Sequence, residues 1–368
     1  MPVSRGGIDD VSESGQLSPR NLPQRRRAAI PVWRARWLVR HLLSAAERSD
    51  LARQSAAAGA LAGRAGRQVC RPIKAGLTHA AIAADLVIDA SGRGAPTLAL
   101  LDALGWARPP ETAVGVDIGY TTVRLPQPSA APGDAKILYT LPDPPAIPLA
   151  ALLIPIENGQ SLVTLCGWGT TKHPQSWDEF LAALRQLRTP TIYNAIRDLP
   201  PPDSLKHYLF EESRWRHFEQ LPSLPRGLLP VADSLCRFNP VYGQGMSVAA
   251  RQAKLLHDTL ARVAAEGDPI RALQKAFMAN VAPLLQAPWI MGVNADFAFP
   301  STRGERPERY EEGRQFEAAL FRATVADPVV QRAFSDVMQL VKPFDLLESP
   351  DIQSRIKACA EHATPDEA

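Results

Sequence analysis

The segment Leu229–Ala253 reads LPVADSLCRFNPVYGQGMSVAARQA and decides the fold. Its apolar start predicts a short buried strand that ends at Asp233. A loop follows, then Gly243 and Gly245, and then a helix whose apolar residues recur every three to four positions up to Val263. This order places the acidic residue at the carboxyl end of a strand, where open α/β sheets hold their ligands.

The residue types in this segment indicate what such a ligand contains. The Asp233 carboxylate can accept hydrogen bonds from sugar hydroxyl groups. Gly243 and Gly245 have no Cβ, so their backbone amides can approach a ligand closely. The N-terminus of the helix directs free N–H groups and a positive dipole at the same place. The segment therefore predicts a site for a hydroxyl-bearing ligand with an anionic carbonyl oxygen.

A second informative segment, Ala84–Thr97, reads ADLVIDASGRGAPT. Its β-branched apolar run predicts a buried strand over residues 85–90. Ser91 and Gly92 begin a tight turn, and residues 97–104 predict a short helix.

The chain between the two segments has the period-two alternation of antiparallel strands. Asn158-Gly159 between two apolar runs is the strongest short-range signal for a β-hairpin. The predicted strands are 113–124, 136–141, 149–156, 161–168 and 206–211.

Helices are predicted after the hairpin and at the C-terminus. Ser176 and Glu179 form a capping box that begins one helix. Residues 269–365 are predicted to be helix-rich, with breaks at Pro283, Pro288 and Pro300.

Segment Leu229–Ala253 closely resembles the second FAD-binding motif of the flavoprotein monooxygenase superfamily, the hydroxylases and epoxidases with the p-hydroxybenzoate hydroxylase fold. The resemblance implies that Asp233 binds the ribityl chain of FAD and that the following loop lies along the flavin ring. Ala232 stands where the family has glycine, and its methyl group is expected to crowd the cofactor. The matching residues are Asp233, Asn239, Pro240, Gly243, Gln244, Gly245 and Met246.

Segment Ala84–Thr97 is similar to the family's strand-and-turn motif near FAD and nicotinamide, in the form found in the epoxidase-like branch. The resemblance assigns Ser91 and Gly92 to the cofactor site. The stretch Pro288–Pro300 looks like the family's C-terminal substrate-side region, so the resemblance covers about residues 84–350. The family's N-terminal GxGxxG unit is not recognisable in residues 1–75, so a truncated member is expected.

The fold class implied is α/β (α+β): a partial FAD-binding flavoprotein monooxygenase fold with an antiparallel substrate sheet and C-terminal helices. The expected parts are a disordered or non-family segment (1–83), a partial FAD-binding domain (84–112 and 220–265), the sheet substrate domain (113–219) and a helical region (266–368).

The resemblance implies an FAD-dependent monooxygenase that is reduced by NAD(P)H. With dioxygen it would hydroxylate or epoxidise a hydrophobic small molecule through a flavin hydroperoxide. No catalytic side chain is assigned, because epoxidation does not require a side-chain acid or base. Two alternatives stay open: a geranylgeranyl-reductase-like flavoenzyme, and a non-catalytic remnant unable to bind FAD alone. Gly167-Trp168-Gly169 does not match the tryptophan-rich signature of flavin halogenases.

Composition and charge bear on whether the chain binds a metal, a nucleic acid or a membrane. The four cysteines of the chain are scattered without metal-ligand spacing, so no metal site or disulfide framework is expected. Residues 1–75 carry a net charge of +9 and the rest −6, but the basic arm has no nucleic-acid motif, so no nucleic-acid partner is expected. No apolar run reaches about 18 residues. A cytoplasmic protein without a transmembrane segment is predicted.

Overall fold

The computed structural model describes residues 68–70, 82–94, 96–128, 137–169 and 173–361. The strands there are β1 (Gln68–Cys70), β2 (Ile82–Ala84), β3 (Val87–Asp89), β4 (Glu111–Pro126), β5 (Leu138–Thr140), β6 (Leu149–Ile156), β7 (Gln160–Gly167), β8 (Lys206–Arg216), β9 (Leu228–Pro230) and β10 (Cys236–Arg237). The helices there are α1 (Pro96–Ala103), α2 (Trp177–Leu184), α3 (Thr191–Ile196), α4 (Gly245–Val263), α5 (Pro269–Asp296), α6 (Tyr310–Ala326), α7 (Pro328–Met338) and α8 (Pro350–Glu361). The prediction of disorder in the N-terminal segment lies outside the described residues, apart from the antiparallel pair β1–β2.

A six-stranded antiparallel sheet forms the centre of the molecule, in the order β10-β8-β4-β7-β6-β5. The predicted hairpin joins β6 to β7, with Ile156 opposite Gln160. Asn158 and Gly159 have φ values of 61° and 65°, which a two-residue hairpin turn of the primed type requires. The antiparallel sheet expected from the alternation of residues is confirmed.

The long central strand β4 carries a bulge between Gly115 and Ile118. Asp117 lies in the bulge with a φ of 42°, and its carboxylate pairs with Arg303. The backbone of Arg303 also exchanges two hydrogen bonds with Gly115. The bulge therefore joins the middle of the sheet to the segment that follows α5. A bulge inserts one extra residue and so reverses the alternation of side chains. Even-numbered residues before and after the bulge in β4 therefore point to opposite faces of the sheet.

The two faces of the six-stranded sheet differ. One face packs against α2 and α3 and is closed: it forms a separate core cluster in which Val163, Phe180 and Ile192 are fully buried. On the opposite face Tyr120 is partly exposed, and Tyr139 and Tyr208 are 41% and 51% exposed. The same face also carries Ile118, Ala150, Cys166 and Phe210, which are buried in the main core. We call the exposed part of this face, defined by Tyr120, Tyr139 and Tyr208, the tyrosine face.

A small parallel sheet joins the two sequence segments that predicted a ligand site. Its strands are β3 and β9, with Val87 opposite Leu228 and Asp89 opposite Pro230. Since both strands run in the same direction, the turn after β3 and the turn after β9 lie at the same edge. The parallel pair therefore brings Ser91 and Asp233 into one region.

Helix α5 is continuous over 28 residues, so the predicted breaks at Pro283 and Pro288 are wrong. Each proline removes one backbone hydrogen bond, but Phe277 and Leu285 are fully buried and hold the helix on the core along its length. This helix is long and apolar enough to cross a membrane by length and composition alone, a test that buried core helices also pass. The absence of a transmembrane segment stays a prediction.

The helix-rich C-terminus is confirmed. Helices α6, α7 and α8 form a bundle with its own apolar core around Leu320, Val330 and Ile352.

Candidate functional site

Asp89, at the end of β3, ties the two motifs together. It is 6% exposed, and its Oδ1 accepts hydrogen bonds from the backbone N–H of Ser91 (3.0 Å), the Ser91 hydroxyl (2.6 Å) and the Ser234 hydroxyl (3.0 Å). Its Oδ2 accepts from the N–H (3.1 Å) and the hydroxyl (2.5 Å) of Thr97. Ser234 in turn accepts from the Gly92 N–H at 2.8 Å. Sequence reasoning missed Asp89; a buried strand that ends in an acid was the available signal.

Gly92 and Asp233, which the resemblance assigns to the cofactor site, lie next to each other. Gly92 has a φ of 68°, and a Cβ built on it would lie 3.5 Å from the Asp233 Cβ. The Asp233 side chain is accessible, but the surrounding protein removes much of its hydration and raises its pKa, while the charge of Arg237 opposes that shift.

A charged cavity of about 220 Å³ opens beside Asp233. We call it the arginine cavity, since four arginines and only two acids line it. Its lining residues are Arg93, Glu212, Arg214, Arg216, Asp233 and Arg237. The arginines lie far apart in the sequence, so no local motif predicted them.

Arg237 lies 3.8 Å from the Glu212 carboxylate, and Arg93 pairs with Glu211. Arg214 pairs with both Glu111 and Glu212, and Arg216 pairs with Glu111. Arg237 donates to the Glu212 carbonyl at 2.7 Å, but its buried Nε has no partner among the described residues. Burial and the charge of Arg93 lower its pKa. A buried guanidinium N–H without an acceptor is costly, which favours an anionic ligand here.

The loop Asn239–Met246, which we call the glycine loop, lies beside open space. Gly243 has a φ of 69°, and a Cβ on Gly243 or Gly245 would meet no atom within 4 Å. Met246 is 86% exposed. Gln244 is buried, and its Nε2 has no partner among the described residues. The backbone of the loop is thus accessible where α4 begins.

Asn239 points its side chain inward. It is 2% exposed, and its Nδ2 donates to Asp296 at 2.8 Å. Its Oδ1 accepts from the Val241 N–H and from the Tyr120 hydroxyl, each at 3.2 Å. The hydrogen bonds of the buried Asn239 amide therefore stabilise the conformation of the glycine loop.

Asp296, the last residue of α5, is the buried acid of this network. It is 1% exposed and accepts the Tyr242 hydroxyl at 2.8 Å. Burial raises its pKa to about 7, against hydrogen bonds from Tyr242, Asn239 and Trp168 that lower it. The network connects the sheet, the glycine loop and α5, and its members lie too far apart in the sequence to be read as a motif.

Ala232, directly before Asp233 in the second motif, has a φ of 53°. Glycine adopts this left-handed conformation without steric cost, whereas alanine does not. The backbone conformation is therefore a physical reason for a glycine at this position, in addition to the expected crowding of a cofactor.

No family model matches the chain. Protein Rv3254 of Mycobacterium tuberculosis is 30% identical over 272 residues, which are 73% of this chain and 55% of that protein. The chain thus spans about half the length of this curated relative.

Two solved structures are similar over 82% of this chain and 68% of their own. They are the flavin-dependent brominase Bmp2, with a TM-score of 0.53 and 12% identity, and a flavoprotein/dehydrogenase from Cytophaga hutchinsonii, with a TM-score of 0.55 and 13% identity. The chain has the flavoprotein monooxygenase fold. The fold class expected from the two motifs is confirmed, with its antiparallel sheet and C-terminal helices.

Proposed function

We propose that this chain binds FAD and acts in a flavin-dependent monooxygenase that oxidises a hydrophobic small molecule. The observation that carries the proposal is that Asp233 and the Ser91-Gly92 turn lie together beside a cavity rich in arginine. These are the residues that the resemblance assigns to the cofactor, and the fold brings them together from distant parts of the chain.

The residues fit the chemistry of FAD. The dinucleotide joins a flat ring, a chain of hydroxyl groups and a doubly charged pyrophosphate. Asp233 would hold the ribityl hydroxyls, and the unpaired Nε of Arg237 would meet the pyrophosphate. The open backbone of the glycine loop leaves room for the ring.

The arginine cavity and the tyrosine face share strand β8. Tyr208 and Arg214 are six residues apart on that strand, so their side chains share a face and lie about 20 Å apart. A ligand that contacts the cavity at one end can therefore extend towards the tyrosines at the other.

The chain's own groups would bind and orient rather than react. Bound FAD, reduced by NAD(P)H, supplies the activation of dioxygen. The N-terminus of α4 at Gly245 would stabilise negative charge on a ring oxygen. The tyrosine face would hold the substrate and exclude water from the reacting atoms.

Flavin retention tests the proposal directly. Purified protein is incubated with FAD, passed through gel filtration and measured by visible absorbance. We expect a retained flavin band. We also expect Asp233→Asn and Arg237→Gln each to weaken FAD binding by about tenfold or more, because each removes a charge-assisted hydrogen bond.

The control is Arg197→Gln, an exposed arginine at the end of α3 that pairs with Asp198. It should leave FAD affinity unchanged. A colourless wild-type protein that is folded would contradict the proposal and favour the non-catalytic remnant. Equal losses in Arg237→Gln and Arg197→Gln would show that positive charge alone attracts the flavin.

The reaction class is tested on flavin-loaded protein. Oxygen uptake in the presence of NADPH supports the monooxygenase. Reduction of an isoprenoid alkene without oxygen uptake would instead support the geranylgeranyl-reductase-like alternative.

A further inference from the structure

Tyr120 lies at the centre of the tyrosine face. It is directly opposite Tyr208 on β8, and the two ring centroids are 6.0 Å apart. Its hydroxyl lies 3.2 Å from the Asn239 Oδ1. Tyr120 is thus the residue at which the open face meets the buried network under the glycine loop.

The Asn239 amide can have only one orientation. The Val241 N–H is a donor and lies 3.2 Å from one amide atom, which must therefore be the oxygen. The other amide atom, the nitrogen, then lies 2.8 Å from an oxygen of Asp296, a pairing that a carboxyl group can accept. Because a backbone N–H fixes this choice, it holds whichever protonation state Asp296 has.

The hydroxyl proton of Tyr120 is therefore used in its hydrogen bond to Asn239. Oδ1 of Asn239 can only accept, so Tyr120 must donate to it. Burial raises the pKa of Tyr120, and the nearby Cys166 and Asp296 add to that effect, so the phenol keeps its proton. The Tyr120 oxygen can then take part in a further hydrogen bond only as an acceptor, through a lone pair.

We infer that Tyr120 is a specificity-determining residue whose oxygen accepts a hydrogen bond from an O–H or N–H group of a neutral, flat ligand. The inference rests on the proposed function, which makes the tyrosine face the substrate side of the protein. Tyr208 lies beside Tyr120, and Tyr139 lies on the same face three strands away, so both rings provide flat apolar contact area. A ligand that covers Tyr120 but has no donor leaves the lone pair of the Tyr120 oxygen without a hydrogen bond.

An anionic ligand is the competing possibility on this face. A carboxylate has no proton for Tyr120 and would lie near the carboxyl group of Asp296. However, Lys206 and Arg124 are exposed further along the same two strands, and they would attract an anion. The test therefore includes an anionic probe.

Three probes with the same ring system separate these cases: 2-naphthol has a donor, 2-methoxynaphthalene has none, and 2-naphthoate is an anion. Binding is measured at pH 7 by isothermal titration calorimetry, with and without FAD. We expect 2-naphthol to bind about tenfold more tightly than 2-methoxynaphthalene, the effect of one hydrogen bond, and 2-naphthoate to bind most weakly.

Two variants assign the preference to one hydroxyl group. Tyr120→Phe should bring 2-naphthol and 2-methoxynaphthalene to equal affinity. The matched control is Tyr208→Phe, which removes a hydroxyl from the neighbouring ring and should keep the preference. Circular dichroism checks that both variants fold.

Either of two results overturns the inference: no preference for 2-naphthol in the wild-type protein, or an undiminished preference in Tyr120→Phe. Tightest binding of 2-naphthoate would overturn it in favour of Lys206 and Arg124. Since the probes are also titrated without FAD, failure of flavin binding is seen separately from failure of the Tyr120 preference.

Discussion

The two faces of the six-stranded sheet come from the same strands but differ in how exposed their large side chains are. The face towards α2 and α3 is closed by apolar side chains such as Phe180 and Ile192, which are fully buried. The other face also contributes buried side chains such as Phe210 to the main core, but it keeps the large rings of the tyrosine face partly exposed. Alternation along a strand thus places different side chains on the two faces, and only one face keeps exposed tyrosine rings.

The largest effect should come from the closed face. Phe180→Ala removes a fully buried ring and leaves a cavity, so we expect the free energy of unfolding to fall by about 3–5 kcal/mol. Tyr208→Ala on the open face should change it by less than about 0.5 kcal/mol. Urea denaturation measures both. Similar losses of unfolding free energy in the two variants would mean that the exposed tyrosine ring stabilises the sheet as much as the buried phenylalanine does.

The second effect concerns Asp296, beneath the tyrosine face. Its folded pKa of about 7 is far above the ordinary 3.8, because burial disfavours the charged form. Between pH 4 and pH 7 the unfolded carboxyl group ionises while the folded one keeps its proton, so stability falls as the pH rises through this window. Above pH 7 the loss is complete and amounts to about 4 kcal/mol.

Asp296→Asn removes this titration and keeps the shape of the side chain. Relative to wild type, we expect the variant to become more stable as the pH is raised from 5 to 8. Denaturation at both pH values measures the difference. A difference that stays constant with pH would mean that Asp296 does not titrate in this range, and that the network under the tyrosine face holds a permanent charge.

The third effect tests the junction of the two motifs. Asp89→Ala leaves the donors of Ser91, Thr97 and Ser234 without their acceptor, so we expect a loss of about 3 kcal/mol. Asp85→Ala, at an exposed position before the same strand, is the control and should cost less than about 0.5 kcal/mol. A small loss in Asp89→Ala would mean that β3 and β9 hold the motifs together without this carboxylate.

The comparison of faces also shows what sequence patterns can predict. The alternation in β4 and the Asn158-Gly159 turn are local, so they predicted the sheet and its hairpin correctly. The continuation of α5 through Pro283 depends on tertiary packing, which overrides the local signal.

The parts of the site that the sequence did not predict depend on contacts between distant residues. Arg93 and Arg237 meet in one cavity because β3 pairs with β9, and Tyr120 reaches Asn239 across 119 positions of sequence. A single sequence contains no signal for such pairings, since the spacing along the chain does not constrain the distance in space. The motifs predicted a cofactor site, and the structure was needed to find the tyrosine face.

The smallest effect is expected at Ala232, where the chain carries alanine in a left-handed conformation with a φ of 53°. Ala232→Gly relieves that strain but gives up some buried methyl surface and makes the unfolded chain more flexible, so we expect a gain of roughly 0.5 kcal/mol. Asn158→Gly, at a φ of 61° in the exposed hairpin turn, should gain less, because asparagine tolerates this conformation. Denaturation compares the two stabilities, and gel filtration compares FAD retention. A gain in FAD affinity without a gain in stability would mean that the methyl group crowds the cofactor, whereas a gain in stability alone would mean that the backbone conformation is what favours glycine here.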